Sequence, residues 1–527
     1  MESNDHLFQL IKSLSQAEKR YFKLEASKYA TNYNDNTYLK LYDNIDAQQN
    51  YDEKALKQSL KEDSKLLKRF ASVKNYLYNL ILKCLVQMHT EKNVYSELHF
   101  YLQQVATLYD RGFYKQAKKK LLHAKQLADD TQKMDYFLVI NRWELKLAEF
   151  ETNYGKSKNM ILDLLNEKNE ALDQMDEELK IELLYEEAGT QAYQVGVART
   201  DDDKSFYLEY LNNNAFFKAL SSKSVYAQSI AYALEDIVTF MAGFPPEKTL
   251  IITKNRIKVF EQTTPEVKKE HAYYYAAAVF AHLQILLSFQ KFDEAYALLD
   301  ELEKYWKDNA NYWDGFTDNM FFMAFFYHST KIPRTNGSFE KIAVLGKKLK
   351  PELELRMHRE DQDKAFYIVL LNMAYGYFVL KNFDESLFWV RNILNDNTNT
   401  IRPDFLGFVH IFHLMLQYEI GNKTILNYQV ERAARFLSKK SKIYDFERTF
   451  LNFFKKIGQI TKWDSEFEGI FVSLKVALEK MAATENNFEK RFINDFYLLE
   501  WVASKLFKTD YQQLIIEKLE TDFDKLK

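Results

Sequence analysis

The sequence predicts an all-α protein of stacked helical hairpins, and three observations carry that prediction. Glycine and proline are scarce, 13 and 6 in 527 residues, and all six prolines lie at Pro245 or later. A β-rich chain of this length needs many glycine- and proline-containing turns, whereas helical hairpins need few. Apolar residues recur at three- and four-residue spacing along most of the chain. One pattern of spacings also returns several times in the middle of the sequence.

Composition bounds the problem further. Hydrophobic residues make up 47% and charged residues 28%, which fits a folded chain and excludes bulk disorder. At 527 residues the chain exceeds one ordinary core, so several domains or one elongated repeat body is expected. The net charge of −3 and pI near 6.4 provide no global field toward nucleic acid or acidic lipid. Lys118-Lys119-Lys120 and Lys439-Lys440 lie in helical stretches with acidic neighbours and read as solvated faces. The single cysteine, Cys84, sits in an apolar run and reads as a buried structural thiol in a reducing compartment. The polar, acidic start lacks a basic stretch followed by an apolar core, so no secretory signal is expected. The most apolar stretch, 272–289, contains His282 and Gln284 and reads as a buried helix, not a membrane span. A cytoplasmic location is the expectation.

Residues 1–92 read as a helical cap with four helices. Leu7, Leu10, Ile11 and Leu14 share a helical stripe, and Ser15-Gln16-Ala17-Glu18 has the form of a capping box that opens the next helix. The polar run 31–36 is a loop, a short helix begins at Tyr38, and one long helix is expected over 64–88. The order of short helices suits a helix-turn-helix, although Lys and Arg exceed Asp and Glu here by only about three.

Residues 93–435 are repetitive. From Val105 the pattern runs Val105, Leu108, a turn at Gly112, then Tyr114, Ala117, Leu121 and Ala124. Leu145, Ala148, Tyr154, Ser157, Ile161 and Leu164 follow it. So do Leu283, Leu286, Phe292, Ala295, Leu299 and Leu302, and again Ala374, Tyr377, Phe383, Ser386, Val390 and Ile393. Weaker matches centre on Phe206, Phe244, Phe339 and Lys423. Asp201-Asp202-Asp203, Pro245-Pro246, Pro333 and Pro403 fall where loops or helix starts are expected. Residues 436–527 carry further amphipathic helices and read as the last hairpins with a C-terminal cap.

This template resembles the tetratricopeptide repeat, in which a small residue on the second helix admits the body of the first. The aromatic positions recur at roughly 40–50 residues, longer than the family's repeat. The resemblance implies a right-handed α-solenoid capped by helices at both ends, with a concave groove lined by the first helix of each pair. Mapping the family's groove-facing positions nominates Tyr109, Arg142, Lys146, Glu149, Gln284 and Tyr375 for contact with another protein or peptide segment.

No constellation of residues carries chemistry. Neither Gly-x-x-x-x-Gly-Lys-Ser/Thr nor Gly-x-Gly-x-x-Gly occurs, and no Gly-x-Ser-x-Gly elbow is present. Adjacent pairs such as Glu177-Glu178 and Glu186-Glu187 diverge on a helix. His410 and His413 have ligand spacing, yet a metal would require a third ligand such as His358 or Glu419 from elsewhere. No enzyme, cofactor or metal is therefore expected, and the leading expectation is a protein-interaction scaffold or adaptor. Two alternatives stand beside it: a signal-responsive transcriptional regulator with DNA-binding N-terminal helices, and a ribosome- or RNA-associated factor.

Overall fold

The computed structural model describes residues 6–28, 36–49, 51–61, 63–89, 93–149, 157–198, 200–356, 364–395, 403–421, 423–440, 445–459, 465–483 and 488–526. Every regular element among them is helical. They divide into two compact units, one of residues 1–179 with 264–270, the other of 180–263 with 271–527.

The first unit opens with six helices: His6–Ser13, Gln16–Ser27, Thr37–Asp46, Glu53–Ser59, Ser64–Lys68 and Phe70–His89. Their core holds Leu7, Ile11, Phe22, Tyr42, Leu77, Ile81 and the buried Cys84. Ser15 forms the expected capping box, its hydroxyl taking the Glu18 N–H while the Glu18 carboxylate takes the Ser15 N–H. The single helix expected over 64–88 is instead two. The Arg69 N–H bonds back to Leu66 O, three residues earlier, which tightens the turn and ends the first helix before Phe70 starts the second.

Five helix ends share one device. At Gly112, Gln132, Gly243, Gln290 and Lys381 the backbone enters the left-handed region, with φ between 55° and 79°. In each case the next residue's N–H reaches the carbonyl five positions back, as in Phe113 to Leu108, Lys133 to Ala128 and Asn382 to Tyr377, at 2.8–3.1 Å. The left-handed residue itself bonds three back, as in Gly112 to Tyr109 and Lys381 to Phe378. These paired bonds satisfy the last carbonyls of the first helix and reverse the chain in one step. The spacing of two from turn to aromatic follows, because the aromatic is the first residue of the returning helix at Tyr114, Phe292 and Phe383. Its ring packs back on the first helix, with Tyr109–Tyr114 at 5.3 Å and Phe378–Phe383 at 5.9 Å. The small position three residues on is fully covered in Ala117, Ala295 and Ser386, and the Ser386 hydroxyl donates to Ala374 O at 2.7 Å. Tyr154 lies outside the described residues.

The second unit continues this construction with Val225–Met241 and Pro246–Glu261, Ala272–Ser288 and Phe292–Asp308, and Lys364–Val379 and Phe383–Leu394. Thr200 caps the helix that starts at Asp201, and Pro246 and Pro403 open helices as expected. Pro333 departs from expectation, since it lies inside the helix His328–Asn336. It has no N–H to offer, and the same helical run also holds a π turn over Met323–Tyr327 upstream. Side chains bond two carbonyls of this turn: His328 Nδ1 bonds Ala324 O at 2.8 Å and the Thr330 hydroxyl bonds Phe326 O at 2.8 Å. No helix of the described residues is long and apolar enough to cross a membrane.

Close approach within this unit depends on Gly376. A β-carbon there would lie 2.5 Å from Ile342 Cγ1 and 2.8 Å from Cδ1, atoms of a buried branched side chain on the Lys341–Arg356 helix. Gly376→Ala is expected to cost ~1–3 kcal/mol by overpacking. Urea titration followed by circular dichroism reads this directly, and an unchanged midpoint would mean the helices part without penalty.

Candidate protein-docking face

The structure separates the nominated groove residues into two groups. In the first unit, Arg142 and Lys146 are exposed on one face of the helix Met134–Ala148, and Glu149 is exposed just beyond it. The Lys146 ammonium lies 4.5 Å from the Trp143 ring, and the half-buried Tyr109 meets the same indole edge-on at 5.5 Å. Tyr109, Lys146 and Trp143 thus form one cluster. Gln284 and Tyr375 belong to the second unit. Gln284 is half-buried and accepts from Lys331 Nζ at 3.0 Å. Tyr375 is only 1% exposed, so it does not line a surface. Its hydroxyl meets Tyr511 at 3.0 Å and its ring packs on Phe496 at 5.1 Å, because a C-terminal helix covers the position that the repeat pattern left open.

Among the described residues, one exposed apolar stripe is concealed by the repeat template. After Ala148 the template expects an ordinary returning helix, but Ser157–Val195 runs for 39 residues. Up to Leu179 it belongs to the first unit. Leu164 and Ala171 face the core, while Leu162, Leu165, Leu172 and Leu179 are 48, 41, 43 and 55% exposed. Leu165, Leu172 and Leu179 stand seven residues apart, so on a helix they drift by only ~20° per step and form a seam ~21 Å long. Leu162 widens it by one turn. The signal lies in the sequence as a heptad at Leu165, Leu172 and Leu179, masked by the repeat pattern that Leu164 also fits.

Charge surrounds the seam. Residues 157–179 contain seven carboxylates and two lysines. The helix is held to its unit by Lys125, whose ammonium reaches Glu144 at 3.0 Å and Glu167 at 2.5 Å. Burial alone would lower the Lys125 ammonium, but Glu167 and Glu144 outweigh it and hold its pKa raised. Burial likewise raises the Glu144 carboxyl, and Lys125 offsets this only in part. Lys125→Met would leave Glu144 without that neutralising partner. The expected loss is ~1–2 kcal/mol. Hydrogen exchange over residues 157–179 should accelerate with it, and unchanged exchange would show the tether to be idle.

Among the described residues no group of three or more His, Cys, Asp and Glu converges as a metal site. His410 packs on Phe436, His413 meets Gln417 at 3.1 Å, and Glu419 is engaged by Trp501 Nε1 and Lys505. His358 lies outside the described residues. No protein-family model, curated protein or solved structure matches the chain.

Proposed function

We propose that the protein is a non-enzymatic scaffold that binds another protein through exposed helical faces. In this reading its helix pairs continue as right-handed, tetratricopeptide-like repeats, and it works in the cytoplasm. One observation carries the proposal: a heptad seam of four exposed leucines on a long acidic helix. Single exposed apolar residues are ordinary, whereas a contiguous stripe marks a docking surface.

The partner is a basic amphipathic helix. Leucines at seven-residue spacing suit an apolar stripe on a partner helix, and a surplus of five carboxylates over residues 157–179 favours lysines and arginines on its flanks. A second copy of the same helix would bring like charges together, which costs affinity. The Arg142 and Lys146 face is a secondary contact for acidic residues of the same partner.

The test is fluorescence anisotropy of the full chain with a labelled 21-residue peptide of heptad leucines flanked by lysines, beside an otherwise identical peptide flanked by glutamates. The lysine peptide should bind at least 10-fold tighter, and Leu165→Glu with Leu172→Glu should abolish that binding. Equal binding of both peptides, or binding unaffected by the two substitutions, removes the docking face. Concentration-dependent dimerisation abolished by the same substitutions would assign the seam to a second copy instead.

A further inference from the structure

A different part of the molecule, with no residue in common with the docking face, carries a charge the sequence average hides. The whole chain is slightly acidic, yet residues 54–83 contain eight lysines and arginines against two carboxylates. The fold gathers several of these around a cleft of about 780 Å³ between the first, fourth, fifth and sixth helices of the first unit. Lys57, Lys68, Arg69 and Lys74 line it, with Glu53 as its one carboxylate.

The break at Arg69 builds this arrangement. A continuous helix would place Lys68 and Arg69 around an ordinary exposed turn, but the restart at Phe70 sets both beside the first turn of the 20-residue helix Phe70–His89. The start of that helix adds the positive end of its peptide dipoles to the same side. Glu53 does not balance the cleft. Lys57 hydrogen-bonds it at 2.6 Å and Lys74 stands 3.8 Å away, both ammoniums lying over the buried Phe70 ring at 4.9 and 5.7 Å. One carboxylate is thus shared by two lysines, while Lys68 and Arg69, both exposed, form no ion pair with a described residue. Ser72, Asn75 and Tyr78 supply neutral hydrogen-bond donors from successive turns along one wall.

We infer that this cleft binds a small molecule carrying a phosphate or diphosphate group. A surplus of three cations in a concave site matches a multiply charged anion better than a single carboxylate, and the Arg69 guanidinium offers two parallel donors to a phosphate. The volume fits a ligand of nucleotide or sugar-phosphate size. A nucleic-acid strand needs a continuous basic track, whereas the neighbouring Asp43, Asp46 and Asp63 are paired with Lys23, Lys19 and Lys40 and break the positive surface outside the cleft.

Isothermal titration calorimetry of the full chain with inorganic pyrophosphate tests the assignment. Binding is expected, weakening as potassium chloride is raised, and Lys68→Gln with Arg69→Gln should weaken it at least 10-fold. Lys83→Gln, an exposed change further along the same helix, should leave it unaltered. Circular dichroism confirms that each variant is folded, as expected for exposed positions. No pyrophosphate binding, or binding indifferent to the double substitution, overturns the inference. Binding of a 20-base-pair DNA duplex without binding of pyrophosphate also overturns it and converts the cleft into a nucleic-acid contact.

Discussion

Lowering the pH from 7 to 5 is expected to remove about 4 kcal/mol from the stability of the second unit. Three of the histidines buried there, His282, His328 and His413, are held as neutral rings. His282 is bonded to the Thr253 hydroxyl at 2.9 Å, His413 to Gln417, and His328 to Ala324 O. Burial is the first cause in all three, pushing His282 and His413 down to about 4 and His328 down to about 3. Because the folded state resists the proton, stability is complete above the ordinary value of 6.5 and falls as the pH drops from there toward 4. Each ring then costs ~2 kcal/mol at pH 5. Asp236 works in the opposite direction. Burial raises its carboxyl to about 6, so the folded state gains a proton over the same interval and recovers ~1 kcal/mol. Urea titration at the two pH values measures the difference. His328→Phe, which places a ring of similar size beside Phe280 without a titrating nitrogen, should reduce the acid loss by about half. Equal midpoints at pH 7 and pH 5 would show that these rings open to water.

The second large effect concerns Lys133. Its ammonium, almost fully buried, meets Glu270 at 2.5 Å, donates to the Tyr95 hydroxyl oxygen at 2.9 Å and lies 4.3 Å from that ring. Burial alone would lower it, but Glu270 prevails and its pKa is raised. This contact ties the short segment Thr264–Glu270 into the first unit across more than a hundred residues of chain. Lys133→Met strands the Glu270 carboxylate and is expected to cost ~3 kcal/mol, with faster proteolysis within residues 264–270. Adding Glu270→Leu should restore most of the loss, since removing both charges spares the desolvation of either one. Additive costs in the double variant would mean the pair is not coupled.

These interactions mark where sequence reasoning stopped. Helical character was legible because scarce glycine and proline, with period-3.6 apolar spacing, leave no other regular structure. The hairpin turns were legible at Gly112, where the residue type itself demands a left-handed backbone, and at Gln290 and Lys381 through the aromatic two residues on. The 39-residue helix was not, because local spacing cannot tell a stripe that faces a core from one that faces water: Leu164 and Leu165 are adjacent and opposite in fate. Tyr375 failed for a related reason. Its cover comes from Tyr511, 136 positions away, and no local pattern reports a partner so distant. The basic cleft was diluted by averaging charge over 92 residues instead of over the helices that surround it.

The one-step reversals at Gly112, Gln132, Gly243, Gln290 and Lys381 also govern how the chain reaches its structure. Each joins helices whose mutual contacts are close in sequence, so little loop-closure entropy opposes their meeting. A helical pair of this kind can close before distant parts of the polypeptide have been synthesised. The pairing of Tyr375 with Tyr511 spans 136 residues and carries a larger closure cost. Local pairs are expected to form ahead of this contact, and chains truncated before Tyr511 should retain their early pairs while losing the cover that Tyr511 gives Tyr375.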